Sequence, residues 1–129
     1  MNTHKRARPD ERGSVPLETA VLAPAILLII GLIVQAGFWF HARDVAIAAA
    51  EEGARAAAYA GAGASNGRSA ASDFASRVGS GALKEVAVSA TRGATTATVT
   101  VTGHSISLVP GLTFTIVQSA SVPTERITR

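Results

Sequence analysis

Thr19-Ala20-Val21-Leu22-Ala23-Pro24-Ala25-Ile26-Leu27-Leu28-Ile29-Ile30-Gly31-Leu32-Ile33-Val34-Gln35-Ala36-Gly37-Phe38-Trp39-Phe40 holds no charged side chain. Only Thr19 and Gln35 are polar within these 22 residues. As a helix rising about 1.5 Å per residue the run covers roughly 33 Å, enough for a hydrocarbon core of about 30 Å. No face of it is polar, which separates it from an amphipathic helix lying on a membrane surface. Two other readings compete. A buried core helix of a soluble protein rarely stays apolar for so long, and residues 41–129 are too few to cover it. A cleavable secretory signal would use the A-x-A pattern at Ala46-Ile47-Ala48, but its apolar region is shorter, about 7–15 residues. The sequence therefore predicts a single membrane-spanning helix.

The flanks orient it. Lys5, Arg6, Arg8 and Arg12 precede the run, whereas Arg43 and Arg55 follow it beside Asp44, Glu51 and Glu52. The excess of Lys and Arg places the N-terminus in the cytoplasm and the C-terminal part outside the cell membrane. Trp39 and Phe40 suit the outer interface. The formal net charge is +3 and the sequence pI is about 10.2. No basic stripe with interleaved aromatics accompanies that charge, so nucleic acid is not an expected partner. The chain has no cysteine, which excludes disulfides and thiolate chemistry. His4, His41 and His104 are too scattered for a metal site. No nucleophile elbow, Walker or zinc motif is present. Neither enzymatic activity nor a cofactor is expected.

Helical composition continues to about Ala60. Ala42, Ala46, Ala50, Ala54 and Ala58 recur every four residues, and Ala49, Gly53 and Ala57 form an adjacent row. Small residues so spaced allow close approach of a second backbone, either inside the domain or between copies. Gly61 to Gly67 breaks the helix. A short second helix should start at Ser65, Asn66 or Ser69 and run to about Val78, with Phe74, Val78 and Ala75 as its buried face. From Lys84 the period changes to two. Thr96, Thr98, Thr100 and Thr102 alternate with Ala97, Val99, Val101 and Gly103, giving a strand with one hydroxyl and one apolar face. Ile106 and Leu108 continue the alternation and are expected to prolong this strand. Turns are expected at Arg92-Gly93 and Pro110-Gly111, and a third strand over Leu112 to Ser121. The fold class is α+β: a long N-terminal transmembrane helix continuing outside the membrane, a short second helix and a three-stranded antiparallel sheet. The expected layout is a basic leader over 1–13, the helix over 14–60 and an outer domain over 61–129.

Two stretches carry a family resemblance. Arg12-Gly13-Ser14-Val15-Pro16-Leu17-Glu18 leads into the apolar helix, and Ala49-Ala50-Glu51-Glu52-Gly53-Ala54-Arg55-Ala56-Ala57-Ala58 follows it. Both resemble the TadE/TadG-like pseudopilins of the Tad (type IVb) pilus system. The motif residues carried over are Glu52, Gly53 and Arg55. Thr19 stands where that family often has Tyr or Phe, and Glu51 where it often has Arg. The resemblance implies cleavage between Gly13 and Ser14 by a prepilin-type peptidase. It also implies an acidic assembly position at Glu18, the fifth residue of the mature chain, and partners among other pseudopilins and an inner-membrane platform.

The local chemistry fits both cutting and a plain helix start. Gly13 offers an unhindered backbone, Ser14 is a capping residue, and Pro16 is tolerated in a first turn. Glu18 either pairs with the new terminus of a neighbouring copy or reaches the headgroups. Pro24 predicts a local bend. Gln35 either bonds a partner helix or lies near the interface. Outside this family, the chain would be an uncleaved signal-anchored protein whose outer domain binds a ligand or cell-wall polymer.

Overall fold

The computed structural model describes residues 14–127. The elements are α1 (Ser14–Ala58), α2 (Ala64–Val78), β1 (Leu83–Arg92), β2 (Thr96–Ser105) and β3 (Phe114–Pro123). The chain divides into two compact units, and the boundary falls within α1 between Ile33 and Val34.

The first unit contributes one helical stretch. It is apolar, and its most hydrophobic 18-residue window has mean hydropathy 2.5 with none of it buried. α1 does not end at Pro24, which sits inside it. Leu22, Ile26, Leu27, Ile29 and Ile33 are all exposed.

The second unit is an antiparallel sheet of order β1-β2-β3 with helices on one face. β2 sits in the middle because its alternation is the cleanest: Ala97, Val99, Val101, Gly103 and Ser105 are buried, and their neighbours are half-buried. Register places Val88 and Gln118 beside Val101, and Ala90 and Ala120 beside Val99. The opposite face carries hydroxyls in cross-strand rows, Thr91–Thr98–Ser121 and Ser89–Thr100–Ser119. Thr98 Oγ1 lies 2.8 Å from Ser121 Oγ, and Thr100 Oγ1 2.6 Å from Ser119 Oγ. Such pairs stabilise a sheet by a few tenths of a kcal/mol to about 1 each.

The small-residue rows of α1 are the inner wall of this unit. Ala42, Ala46, Ala49, Ala50, Ala54 and Ala57 are fully buried, and Ala58 nearly so. They meet Ala71 and Ala75 of α2 and Val99, Val101 and Ile116 of the sheet. Both of the expected small-residue rows thus face the chain's own domain.

Several local expectations shift. α1 ends at Ala58, two residues early. α2 begins at Ala64 with Gly63 as its N-cap; Asn66 sits inside the helix and its Oδ1 accepts the Gly63 N–H at 3.0 Å. The buried stripe of α2 is Gly67, Ala71 and Ala75, with Phe74 half-buried and Val78 exposed. Residues four apart share a face, so this stripe excludes Val78. β1 is irregular between Lys84 and Ala87, where Glu85 adopts φ +51°. β2 stops at Ser105, short of Ile106 and Leu108, because the following backbone is bonded elsewhere. β3 starts two residues later than expected. The turn at Pro110-Gly111 falls where expected, with Leu112 N–H bonded to Val109 O at 3.2 Å, whereas the first turn follows Arg92, which belongs to β1, and is closed by Gly93 N–H to Thr96 O at 2.8 Å. Gly111 has φ +80°, the conformation that a type II turn requires after proline.

Candidate functional site

Ser14 is the first residue of α1, and Gly13 lies outside the described residues. Glu18 is one turn further along the helix. Its side chain is exposed, and among the described residues it makes no ion pair. It is the one carboxylate among the described residues at the start of the apolar run.

The second motif separates into two roles. Gly53 is buried where α1 crosses α2. A Cβ there would meet Gly67 O at 2.7 Å, Ala71 Cβ at 2.8 Å and a Val99 methyl at 3.1 Å. Gly67 answers it from α2, since a Cβ on Gly67 would lie 2.8 Å from Gly53 O and 2.7 Å from Ala57 Cβ. The two glycines let the backbones touch. Glu51, Glu52 and Arg55 face outward. Arg55 Nη2 donates to Glu51 at 3.2 Å and Nη1 to Glu52 at 3.4 Å. Exposed pairs of this kind contribute only a few tenths of a kcal/mol.

Three contacts were not legible in the sequence. Gln35, expected at a partner helix or at the interface, clamps its own chain. Its Nε2 donates to Ile106 O at 2.9 Å and its Oε1 accepts from Leu108 N–H at 2.8 Å. The side-chain amide thus acts as a peptide group would in a sheet, and it holds the β2–β3 loop against α1. Arg92, expected in a turn, ends β1 and points Nη1 at the carbonyls of Ala57, Tyr59 and Ala62, at 2.5, 2.6 and 2.7 Å. Ala57 lies in the last turn of α1, and Tyr59 and Ala62 in the turn just after it, so the guanidinium satisfies acceptors at the helix end and opposes the negative end of the dipole. His104, expected to be solvated, lies half-buried with Nε2 3.5 Å from Glu85 and Nδ1 3.3 Å from Thr115 Oγ1. Period-two alternation puts Thr115 opposite His104 only once register is known, and Glu85 arrives through the irregularity in β1.

Among the described residues no group of three or more His, Asp or Glu side chains converges as a metal site. Among the outward hydroxyls of the sheet, Thr98 pairs with Ser121 and Thr100 with Ser119. Among the described residues the arrangement offers an exposed apolar helical stretch that carries Glu18, and a domain that uses the C-terminal part of α1 in its core.

Comparison with known proteins agrees on the helix. The family model described as TadE-like protein matches residues 13–55. Neither a curated protein nor a solved structure gives a significant match. From residue 13 to residue 55, a stretch that takes in the apolar run, Glu18 and Glu52-Gly53-Ala54-Arg55, the chain carries a TadE-like domain.

Proposed function

We propose that this protein is a membrane-anchored TadE-like pseudopilin, a non-enzymatic component of a Tad-type pilus or related secretion apparatus. The observation that carries the reading is the coincidence of the family match with a membrane-length helix none of whose apolar window is buried among the described residues. The span crosses the cell membrane once, with residues 1–13 as a cytoplasmic leader and the sheet outside. A prepilin-type peptidase cuts between Gly13 and Ser14. Cutting exposes the Ser14 ammonium, which pairs with Glu18 of a neighbouring copy or of another pseudopilin and sets axial register during assembly on the inner-membrane platform. A lone carboxylate in an apolar setting is costly, and its neutralisation by a partner makes the correct register the favoured one.

Terminal sequencing of the protein extracted from cell membranes tests this. Ser14 as the first residue is the expected result. An intact leader in cells that hold an active prepilin peptidase overturns the processing step. That outcome favours the second reading, an uncut anchor whose outer domain binds a polymer. The feature available to such a polymer is the hydroxyl face of the sheet. It ranks second because Thr98 and Thr100 already bond Ser121 and Ser119, which leaves fewer free donors for a ligand.

A further inference from the structure

The β2–β3 loop, Ile106 to Thr113, reads Ile106-Ser107-Leu108-Val109-Pro110-Gly111-Leu112-Thr113 and has no charge. Its large side chains point away from the core: Leu108 is 50% exposed, Val109 54% and Leu112 47%. Four apolar residues crowded on an exposed tip are unusual for a loop in water.

Gln35 fixes where this tip sits. It bonds both Ile106 and Leu108, so the loop lies beside α1 at the level of Gln35. That level is five residues before Phe40, the outer end of the apolar run, or roughly 7.5 Å along the helix axis. The 57% exposed Phe40 marks the zone where aromatic rings settle at a bilayer surface. A loop held below that zone is held at lipid depth.

Part of the loop backbone is already hydrogen-bonded. Irregular backbone in hydrocarbon fails when its polar groups lack partners. Here Leu108 N–H bonds Gln35, Val109 N–H bonds Ser107 Oγ at 3.1 Å, and Leu112 N–H bonds Val109 O at 3.2 Å. Pro110 has no N–H to satisfy. Ser107 Oγ in turn donates to Val109 O at 2.9 Å.

We infer that the β2–β3 loop inserts Leu108, Val109, Pro110 and Leu112 into the outer leaflet of the bilayer, as a second membrane contact beside the spanning helix. The spanning helix and the loop then give the chain two contacts with the bilayer. The inference rests on the membrane-anchor part of the proposed function and is independent of pilus assembly.

The absence of cysteine makes the test direct. Leu108→Cys, Val109→Cys and Leu112→Cys variants of the full chain carry an environment-sensitive fluorophore in phosphatidylcholine vesicles, with nitroxides on lipid chains near the headgroup. Ile29→Cys reports on the span. Ser121→Cys reports on the far end of the sheet, which pairs with Thr98, seven residues along β2 from Ser105. The expected result is blue-shifted emission and strong quenching at all three loop positions and none at Ser121. Loop labels that behave like the one at Ser121, with Ile29 still shielded in lipid, overturn the insertion and leave the anchor intact. Quenching at Ser121 as strong as in the loop also overturns it, since the whole domain then lies on the surface. A water-exposed label at Ile29 overturns the insertion and the anchor together.

Discussion

Replacing Gly53 by alanine adds one methyl group where two helices and a strand meet. On helix propensity alone the change should stabilise the chain by about 1 kcal/mol, because glycine is the poorer helix former in a helix interior. The surroundings reverse that sign. The new Cβ would lie 2.7 Å from Gly67 O, 2.8 Å from Ala71 Cβ and 3.1 Å from a Val99 methyl. None of the three is the free end of a flexible chain: one is backbone, one is a Cβ, and one belongs to a fully buried branched residue. Relief requires α2 to move off α1 as a body. Overpacking generally costs about 1–3 kcal/mol, and contacts this rigid place Gly53 at the upper end. The net effect is a loss of about 2 kcal/mol. With a urea slope of about 1–3 kcal/mol per molar, the midpoint should fall by about 1 M. Trp39, the one tryptophan, is half-buried against the core and reports unfolding of the sheet domain by its fluorescence in micelles. Gly37→Ala is the control, because no atom lies within 4 Å of its added Cβ, and its midpoint should not fall. An unchanged or raised midpoint for Gly53→Ala would falsify the claim that the two helices touch through their backbones. The reciprocal variant, Gly67→Ala, should cost a similar amount. The double variant should cost less than the sum, since one displacement of α2 relieves both clashes.

Arg92→Ala removes the guanidinium from the carbonyls of Ala57, Tyr59 and Ala62, and hydrogen bonds from charged groups contribute about 1.5–3 kcal/mol. The same urea titration should show a loss near 2 kcal/mol, with faster amide exchange in the last turn of α1. Arg55→Ala should change stability by less than about 0.5 kcal/mol, because its partners Glu51 and Glu52 are exposed; a larger drop in midpoint would mean that the pair is not solvent-screened. Glu18→Ala should insert and be cut normally but fail to yield assembled pili, as read by surface shearing and blotting, and normal assembly would remove the register role. Gln35→Leu deletes both bonds to the loop, and hydrogen exchange at Leu108 should rise while the α1 amides keep their protection.

The helix, the second helix and the three strands were legible because each announces itself through a period. The apolar run needs only its length, and β2 needs only the alternation of threonine with valine. Side-chain chemistry between distant segments was not legible. Arg92 and Ala57 are 35 residues apart, and Gln35 and Leu108 are 73 apart. No pattern within either segment points to the other. The same limit explains α2: Phe74 and Val78 are its largest apolar residues, yet Gly67, Ala71 and Ala75 form the buried stripe. The close approach permitted by Gly53 selects for small residues opposite it, and that constraint lives on α1. In the site, Glu18 stands out in sequence because charge is rare in an apolar helix, whereas the burial of Gly53 and the exposure of Arg55, two residues away, emerge only from the direction in which the sheet lies.

That direction bears on how such a protein can assemble. Small residues at four-residue spacing are a general means of bringing helices together, and here they can serve either the domain or a neighbouring copy. In this chain they are occupied: Ala42, Ala46, Ala49, Ala50, Ala54 and Ala57 have no exposed surface left. A partner cannot use that seam without unfolding the sheet from it. Residues 14–33 are different, since Leu22, Ile26, Ile29, Ile30 and Ile33 all remain exposed and Glu18 is unpaired among the described residues. In lipid, apolar surface alone gives little preference for another helix over an acyl chain, because both are equally apolar. Selectivity between copies then has to come from a polar contact. Among the described residues of the stretch 14–33, Glu18 is the one ionisable side chain, so the register role proposed above falls on this residue.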